Sequence, residues 1–202
     1  MEIKRVDFNN MEEINHWSGP ARIVRHIAKT NHDMNVIEIG TGYGEQLLYF
    51  VPLCSHVVCI DPMYDWVPDI VEDQGFDENR VCEKKLASWN TACKDFIDKI
   101  TLIVGNSFLN EVINDERHTK YDLIIIDGCH HPVDAVCKDY WNYQKYMNYP
   151  HYVLFDDINQ ADPGAAFGKV QDELRKKFNI VQVENHGGKC STVGLMLVDK
   201  KV

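Results

Sequence analysis

Short apolar runs alternate along this chain with segments in which apolar residues recur at helical spacing. Runs of the first kind predict strands near 35–39, 55–60, 100–104, 121–126, 151–155, 179–184 and 192–198. Segments of the second kind predict helices at 45–51, 84–98, 107–115, 132–146 and 164–177. Ahead of them, Ser18-Gly19-Pro20 precedes Ile23, Val24 and Ile27, the pattern of an N-capped helix with proline in its first turn. Strand and helix in alternation imply right-handed crossovers and a doubly wound, mostly parallel α/β sheet. The last two strands differ, because only Asn185-His186-Gly187-Gly188-Lys189-Cys190 separates them. That leaves no room for a helix, so they are expected to form a C-terminal antiparallel hairpin in a seven-stranded sheet. A chain of 202 residues suits one such domain over 1–202.

The first strand carries the chemistry. Val36-Ile37-Glu38-Ile39 runs into Gly40-Thr41-Gly42-Tyr43-Gly44, so a buried strand opens directly into a glycine-rich turn with a carboxylate at its lip. Glycines there allow conformations closed to other residues and let the main chain approach a ligand. A dinucleotide fingerprint needs G-x-G-x-x-G, whereas here the third glycine comes one residue early. The E-x-G-x-G-x-G form resembles motif I of the class I S-adenosylmethionine (SAM) methyltransferases, which have a Rossmann-like fold. The second strand ends in Asp61, 21 residues after Gly40, where an acid can accept both ribose hydroxyls of a nucleoside cofactor. The other reading of Asp61-Pro62 is a plain turn.

Tyr121-Asp122-Leu123-Ile124-Ile125-Ile126 is a strand apolar on both faces, and it delivers Asp127-Gly128-Cys129-His130-His131 to the carboxyl edge of the sheet. The next strand delivers Asp156-Asp157 to the same edge. Three carboxylates brought together raise one another's pKa unless a cation compensates them, and a hard divalent ion, best fitted by Mg²⁺, is the expected compensator. His130 suits a general base for a hydroxyl proton, with a structural turn histidine as the other reading. His131 reads as turn structure and Asp122 as a cap on the beginning of its strand.

The D-G-x-H pattern, the acidic pair after the next strand and Pro163-Gly164 at a helix start resemble the family of macrolide- and aminocoumarin-sugar O-methyltransferases. The resemblance spans roughly residues 18–198. It implies SAM as cofactor, held by Glu38, Gly40, Gly42, Gly44 and Asp61, with Asn106 and Ser107 of Gly105-Asn106-Ser107 on the adenine side. It implies Asp127, Asp156 and Asp157 as ligands of a divalent metal, with Asp127 and His130 as catalytic residues. Pro132 and Asn106 depart from that family, which often has an aromatic residue and an acid there, and a related cephalosporin-hydroxylase branch shares the acidic set. The expected activity is methyl transfer to a hydroxyl of a small molecule or sugar. A nicotinamide-dependent oxidoreductase and a non-catalytic SAM-binding module are the alternatives.

A net charge of −10 disfavours a nucleic-acid partner, because affinity for phosphate backbones comes from clustered Lys and Arg. Arg175-Lys176-Lys177 reads instead as a solvated helix end. No segment approaches the length that spans a bilayer, and the first residues have no apolar signal core, so a cytoplasmic protein without membrane contact is expected. The seven cysteines include no C-x-x-C pair, which predicts reduced, mostly buried thiols. The 62–83 segment, with Tyr64, Trp66 and Phe76, is long for a connection and is expected to be a lid or an ordinary insertion. The aromatic run Tyr140 to Tyr146 is expected to pack a helix on the sheet with Trp141 inward. Lys189 and its glycines are read as a substrate rim or an interface, and a homo-oligomer is open.

Overall fold

The computed structural model describes residues 3–12, 19–63, 83–128, 131–187 and 192–201. The elements follow in the order α1 (Gly19–Thr30), β1 (Asn35–Ile39), β2 (His56–Asp61), α2 (Glu83–Cys93), β3 (Ile100–Val104), α3 (Asn110–Ile113), β4 (Tyr121–Ile126), α4 (Val133–Tyr143), β5 (Met147–Phe155), α5 (Ala161–Lys177), β6 (Phe178–Gly187) and β7 (Thr192–Lys200). The seven strands form one sheet in the order β3-β2-β1-β4-β5-β7-β6. β1 to β5 are parallel, while β7 runs antiparallel between β5 and β6. The class read from the sequence is therefore the one observed.

All six residues of β4 are buried, because it is central and covered on both sides. Leu123 and Ile125 face one apolar layer with Ile23, Val24 and Ile27 of α1, Phe50 and Trp89. Ile124 and Ile126 face the other, with Val136, Tyr140 and Tyr143 of α4 and Phe167, Val170 and Leu174 of α5. Burial on two faces is what turns the strand into a continuous apolar run rather than an alternating one.

Several helices are shorter than their periodicity predicts. The segment expected as a helix over 45–51 consists of two 3-10 turns, Glu45–Tyr49 and Val51–Leu53, since Pro52 and the early start of β2 leave no room to propagate an α-helix. The segment expected over 84–98 tightens into a 3-10 stretch at Lys94–Lys99. The one expected over 107–115 is α only at Asn110–Ile113. In α4 the inward aromatics are Tyr140 and Tyr143, with Trp141 half-buried, which corrects the expectation for Trp141. Asp122 fastens the beginning of β4 as expected, accepting the Asn35 N–H at 3.0 Å and the Asn148 amide at 2.8 Å. Cys54, Cys59, Cys93 and Cys137 are free and buried. The proposed lid lies outside the described residues at 64–82, as do Lys189 and its neighbours at 188–191. Among the described residues no helix is long and apolar enough to cross a membrane.

Candidate active site at the carboxyl edge of the sheet

The sheet's hydrogen bonds continue one residue past the strand ends. Gly40 N–H donates to Ile60 O at 2.8 Å, Asp127 N–H to Ile39 O at 2.9 Å, Asp156 N–H to Ile126 O at 3.0 Å and Gly105 N–H to Asp61 O at 3.1 Å. This aligns Gly105, Asp61, Gly40, Asp127 and Asp156 along one edge. Residues from five separate segments meet there because each follows its strand directly.

The three loop glycines have different duties. Gly40 (φ 88°) lies so close to the β4 loop that a Cβ would stand 2.2 Å from Asp127 O. Gly44 (φ 78°) is pressed on the Trp89 ring, 2.8 Å from where its Cβ would be. Gly42 (φ 58°) has nothing within 4 Å of that position. Close approach to a ligand is thus open at Gly42, whereas at Gly40 and Gly44 glycine is also required by internal packing.

Asp61 is buried and well partnered. Its Oδ1 accepts from Met63 N–H at 2.6 Å and from Lys85 Nζ at 2.9 Å, and its Oδ2 accepts from Gly42 N–H at 2.9 Å. The acid therefore ties the second strand to the glycine loop. A carboxylate oxygen has room for about two such bonds, so Oδ2 can take one hydroxyl, and a second would compete with Lys85 at Oδ1.

Glu38 is wholly buried beneath the loop, and burial, reinforced by the charge of Asp61, pushes its carboxyl up to about 8. It has no face to offer a ligand. Gln46 Nε2 donates both to Glu38 Oε1 at 2.6 Å and to Asp127 Oδ2 at 3.1 Å, joining two acids through one amide. Asp127 is held well above the ordinary carboxylate range by burial first and then by the charges of Asp156, Glu38 and Asp157. The edge is consequently a cluster of acids that favours the protonated form, and a cation placed there would draw them toward the charged one.

The expected metal triad is not closed. Asp157, held at φ 54°, turns one carboxylate oxygen to Gln160 Nε2 at 2.8 Å, and Asp127 is engaged by Gln46. Among the described residues no three His, Cys, Asp or Glu side chains are grouped to hold a metal ion. Each of these hydrogen bonds takes one acceptor site of a carboxylate and leaves others free, so the ligand set Asp127, Asp156 and Asp157 stands as a proposal.

On the other side of β1, Asn106 Oδ1 accepts from Phe108 N–H at 2.9 Å, closing a local turn. Ser107 Oγ donates to Asp139 Oδ1 at 2.7 Å, and Tyr143 OH donates to Ser107 O at 2.9 Å. Asp139 comes from α4, is fully buried, and burial pushes its carboxyl up to about 7. His131 bonds Asp162 at 2.8 Å on the surface and joins the β4 loop to α5, in keeping with a turn role. His130 lies outside the described residues.

Gln46, Lys85 and Asp139 are absent from the sequence-based set. Asp139 had a signal, since it is an acid among Val136, Tyr140 and Tyr143 on the apolar face of α4. Gln46 and Lys85 had none, because nothing in local sequence distinguishes an inward from an outward polar residue in a helical first turn. A cleft of about 1040 Å³ opens at the opposite end of the sheet, lined by Lys120, Lys145, Tyr149 and Lys177 among others, and contains none of the candidate residues.

A family model described as a methyltransferase domain matches residues 37–158, which include the glycine loop, Asp61, the β3 loop and both acidic strand ends. The chain belongs to this methyltransferase family, and its class is that of the SAM-dependent methyltransferases. No curated protein matches it significantly. Solved structures share the fold at low identity. An O-methyltransferase from Bacillus cereus in complex with SAH has a TM-score of 0.64 at 12% identity, over 93% of this chain and 84% of that one. The O-methyltransferase TomG from Streptomyces achromogenes, involved in tomaymycin synthesis and in complex with SAM, has 0.59 at 15%, over 90% and 81%. An rRNA methylase from Streptococcus thermophilus has 0.60 at 10%, over 92% and 99%. One fold thus serves different acceptors.

Proposed function

We propose that the chain transfers the methyl group of SAM to a hydroxyl of a small molecule or sugar. The observation that carries the cofactor assignment is Gly42, open to solvent at its Cβ position and hydrogen-bonded to Asp61 at the sheet edge. A nucleoside fits against such a glycine, with its ribose at Asp61. The buried acids below the loop would be drawn toward their charged form by a sulfonium or an α-ammonium group, which suits such a ligand. The hydroxyl acceptor is supported by the O-methyltransferases among the structural neighbours, and the small acceptor by the net charge of −10.

The donor carries its own electrophilic carbon, so the protein's task is to bind, align and remove one proton. His130, two residues past Gly128, is the proposed base. The reading routes no step through a metal.

Calorimetric titration tests the cofactor. SAH is expected to bind and NADH not to; binding of NADH alone would replace this reading with the oxidoreductase one. With a panel of hydroxylated acceptors, turnover to SAH separates an enzyme from a binding module. His130→Ala is expected to slow transfer by about 10²-fold near neutral pH, with the deficit shrinking as the acceptor ionises unaided at high pH. An unchanged rate at every pH would remove His130 from the mechanism.

A further inference from the structure

The cleft of about 1040 Å³ at the amino edge of the sheet gathers positive charge on a chain in which 31 acids outnumber 21 bases. Lys120, Lys145, Lys177 and Lys200 line it, and Glu173, the acid beside them, is already paired with Lys176. Among the described residues none of the four ammonium groups meets a carboxylate in an ion pair. Two are held by neutral oxygens instead: Lys120 Nζ donates to Lys145 O at 2.8 Å and Lys145 Nζ to Asn114 Oδ1 at 2.6 Å. The carbonyls at the end of α5 are taken as well, since Lys201 Nζ donates to Arg175 O at 2.9 Å and to Lys176 O at 3.1 Å. Like charges gathered in one cleft repel one another, and an anion seated among them removes that repulsion.

The same cleft has flat apolar walls. Trp141, half-buried rather than in the core, lines it, and Tyr149 and Phe178 stack with ring centroids 5.1 Å apart and planes inclined by 12°. Lys200 Nζ stands 5.6 Å from the centre of the Tyr149 ring, so a cation and an aromatic face lie side by side. Lysine is a compact point charge that suits phosphate, and an aromatic face suits a stacked base. We propose that this cleft binds a mononucleotide, with its phosphates among the lysines and its base on the aromatic wall. The volume lies at the upper end of small-molecule pockets, about 300–1000 Å³. A net charge of −10 disfavours a long polyanion, whereas a ligand contained within the cleft meets the local positive field. Lys120 precedes β4, Met147 and Tyr149 belong to the first turn of β5, and Phe178 opens β6, so the cleft and the acidic edge lie at opposite ends of the same strands. The six residues of β4, at about 3.3 Å each, keep them roughly 20 Å apart. The two sites can therefore be filled together.

The test is calorimetric titration of the whole protein with cytidine triphosphate, cytidine and inorganic triphosphate; a pyrimidine keeps the probe unlike the adenosyl cofactor. The nucleotide is expected to bind about tenfold more tightly than either fragment, the range one stacked base carries, and more weakly as salt rises. Its affinity is expected to be the same with SAH in excess. Lys177→Ala combined with Lys200→Ala removes two exposed ammonium groups from the cleft and is expected to weaken the nucleotide by about tenfold. Equal affinity for the nucleotide and inorganic triphosphate would reduce the cleft to an anion patch. An affinity untouched by the lysine pair, or abolished by SAH, would put the nucleotide elsewhere. An RNA oligomer binding more tightly than the mononucleotide would make the cleft part of a polynucleotide surface. Each of these results, or no saturable binding of any of the three probes, overturns the proposal.

Discussion

Glu38 shows what burial of a single acid does to stability. Burial pushes its carboxyl up to about 8 in the folded chain, against 4.5 for the ordinary group. Between those values the folded state retains a proton that the unfolded state has lost. Stability therefore falls as pH rises through that window; the penalty is absent below it and complete above it, at about 1.4 kcal/mol per pH unit of separation as an upper bound. Glu38→Gln removes the titration while keeping an acceptor for Gln46. The variant is expected to gain melting temperature over wild type progressively from pH 5 to pH 8 and to level off beyond. It is also expected to bind SAH more weakly only above about pH 8, where the wild-type carboxyl is charged and the variant is not. Denaturation curves across that pH series are the check, and a variant advantage independent of pH would show that Glu38 is not charged by a buried titration.

At the scale of elements, the edge is assembled by how closely β7 and α5 pack beside β5. Gly194 of β7 pairs with Phe155, the last residue before the Asp156-Asp157 turn. A Cβ there would stand 2.8 Å from the Phe167 ring of α5. Gly194→Ala is expected to push that ring and cost roughly 1–3 kcal/mol, since a well-filled interior resists even one added methyl. For a chain of this size that lowers the melting temperature by several degrees, about 2–4 °C for each kcal/mol. A melting temperature equal to wild type would mean that Phe167 has somewhere to go. The same packing logic governs Gly40 and Gly44, which the glycine spacing alone presents as ligand-facing.

The whole molecule adds a constraint that no motif carries. With a net charge of −10 it repels a polyanion, although an rRNA methylase shares its fold. Ribosomal RNA fragments are expected to show no salt-sensitive association in anisotropy titrations at low ionic strength, because a net charge of −10 opposes the counterion release on which such binding depends. Micromolar binding that weakens steeply with salt would redirect the search for an acceptor from small molecules to RNA.

The strands, the parallel core and the C-terminal hairpin were legible in the chain because apolar periodicity and connection length are local properties. The placing of Asp61, Asp127 and Asp156 at one edge was legible for the same reason: each closes or immediately follows a strand, and parallel strands carry such residues to one edge wherever the sheet forms. Side-chain engagement was not. Only the tertiary structure turned Asp157 toward Gln160, set Gln46 between two carboxylates, placed Lys85 on Asp61 and carried Asp139 from a helix to the back of the β3 loop. These contacts join residues 3 to 81 positions apart and depend on χ angles and packing, which neighbouring residues in sequence do not determine.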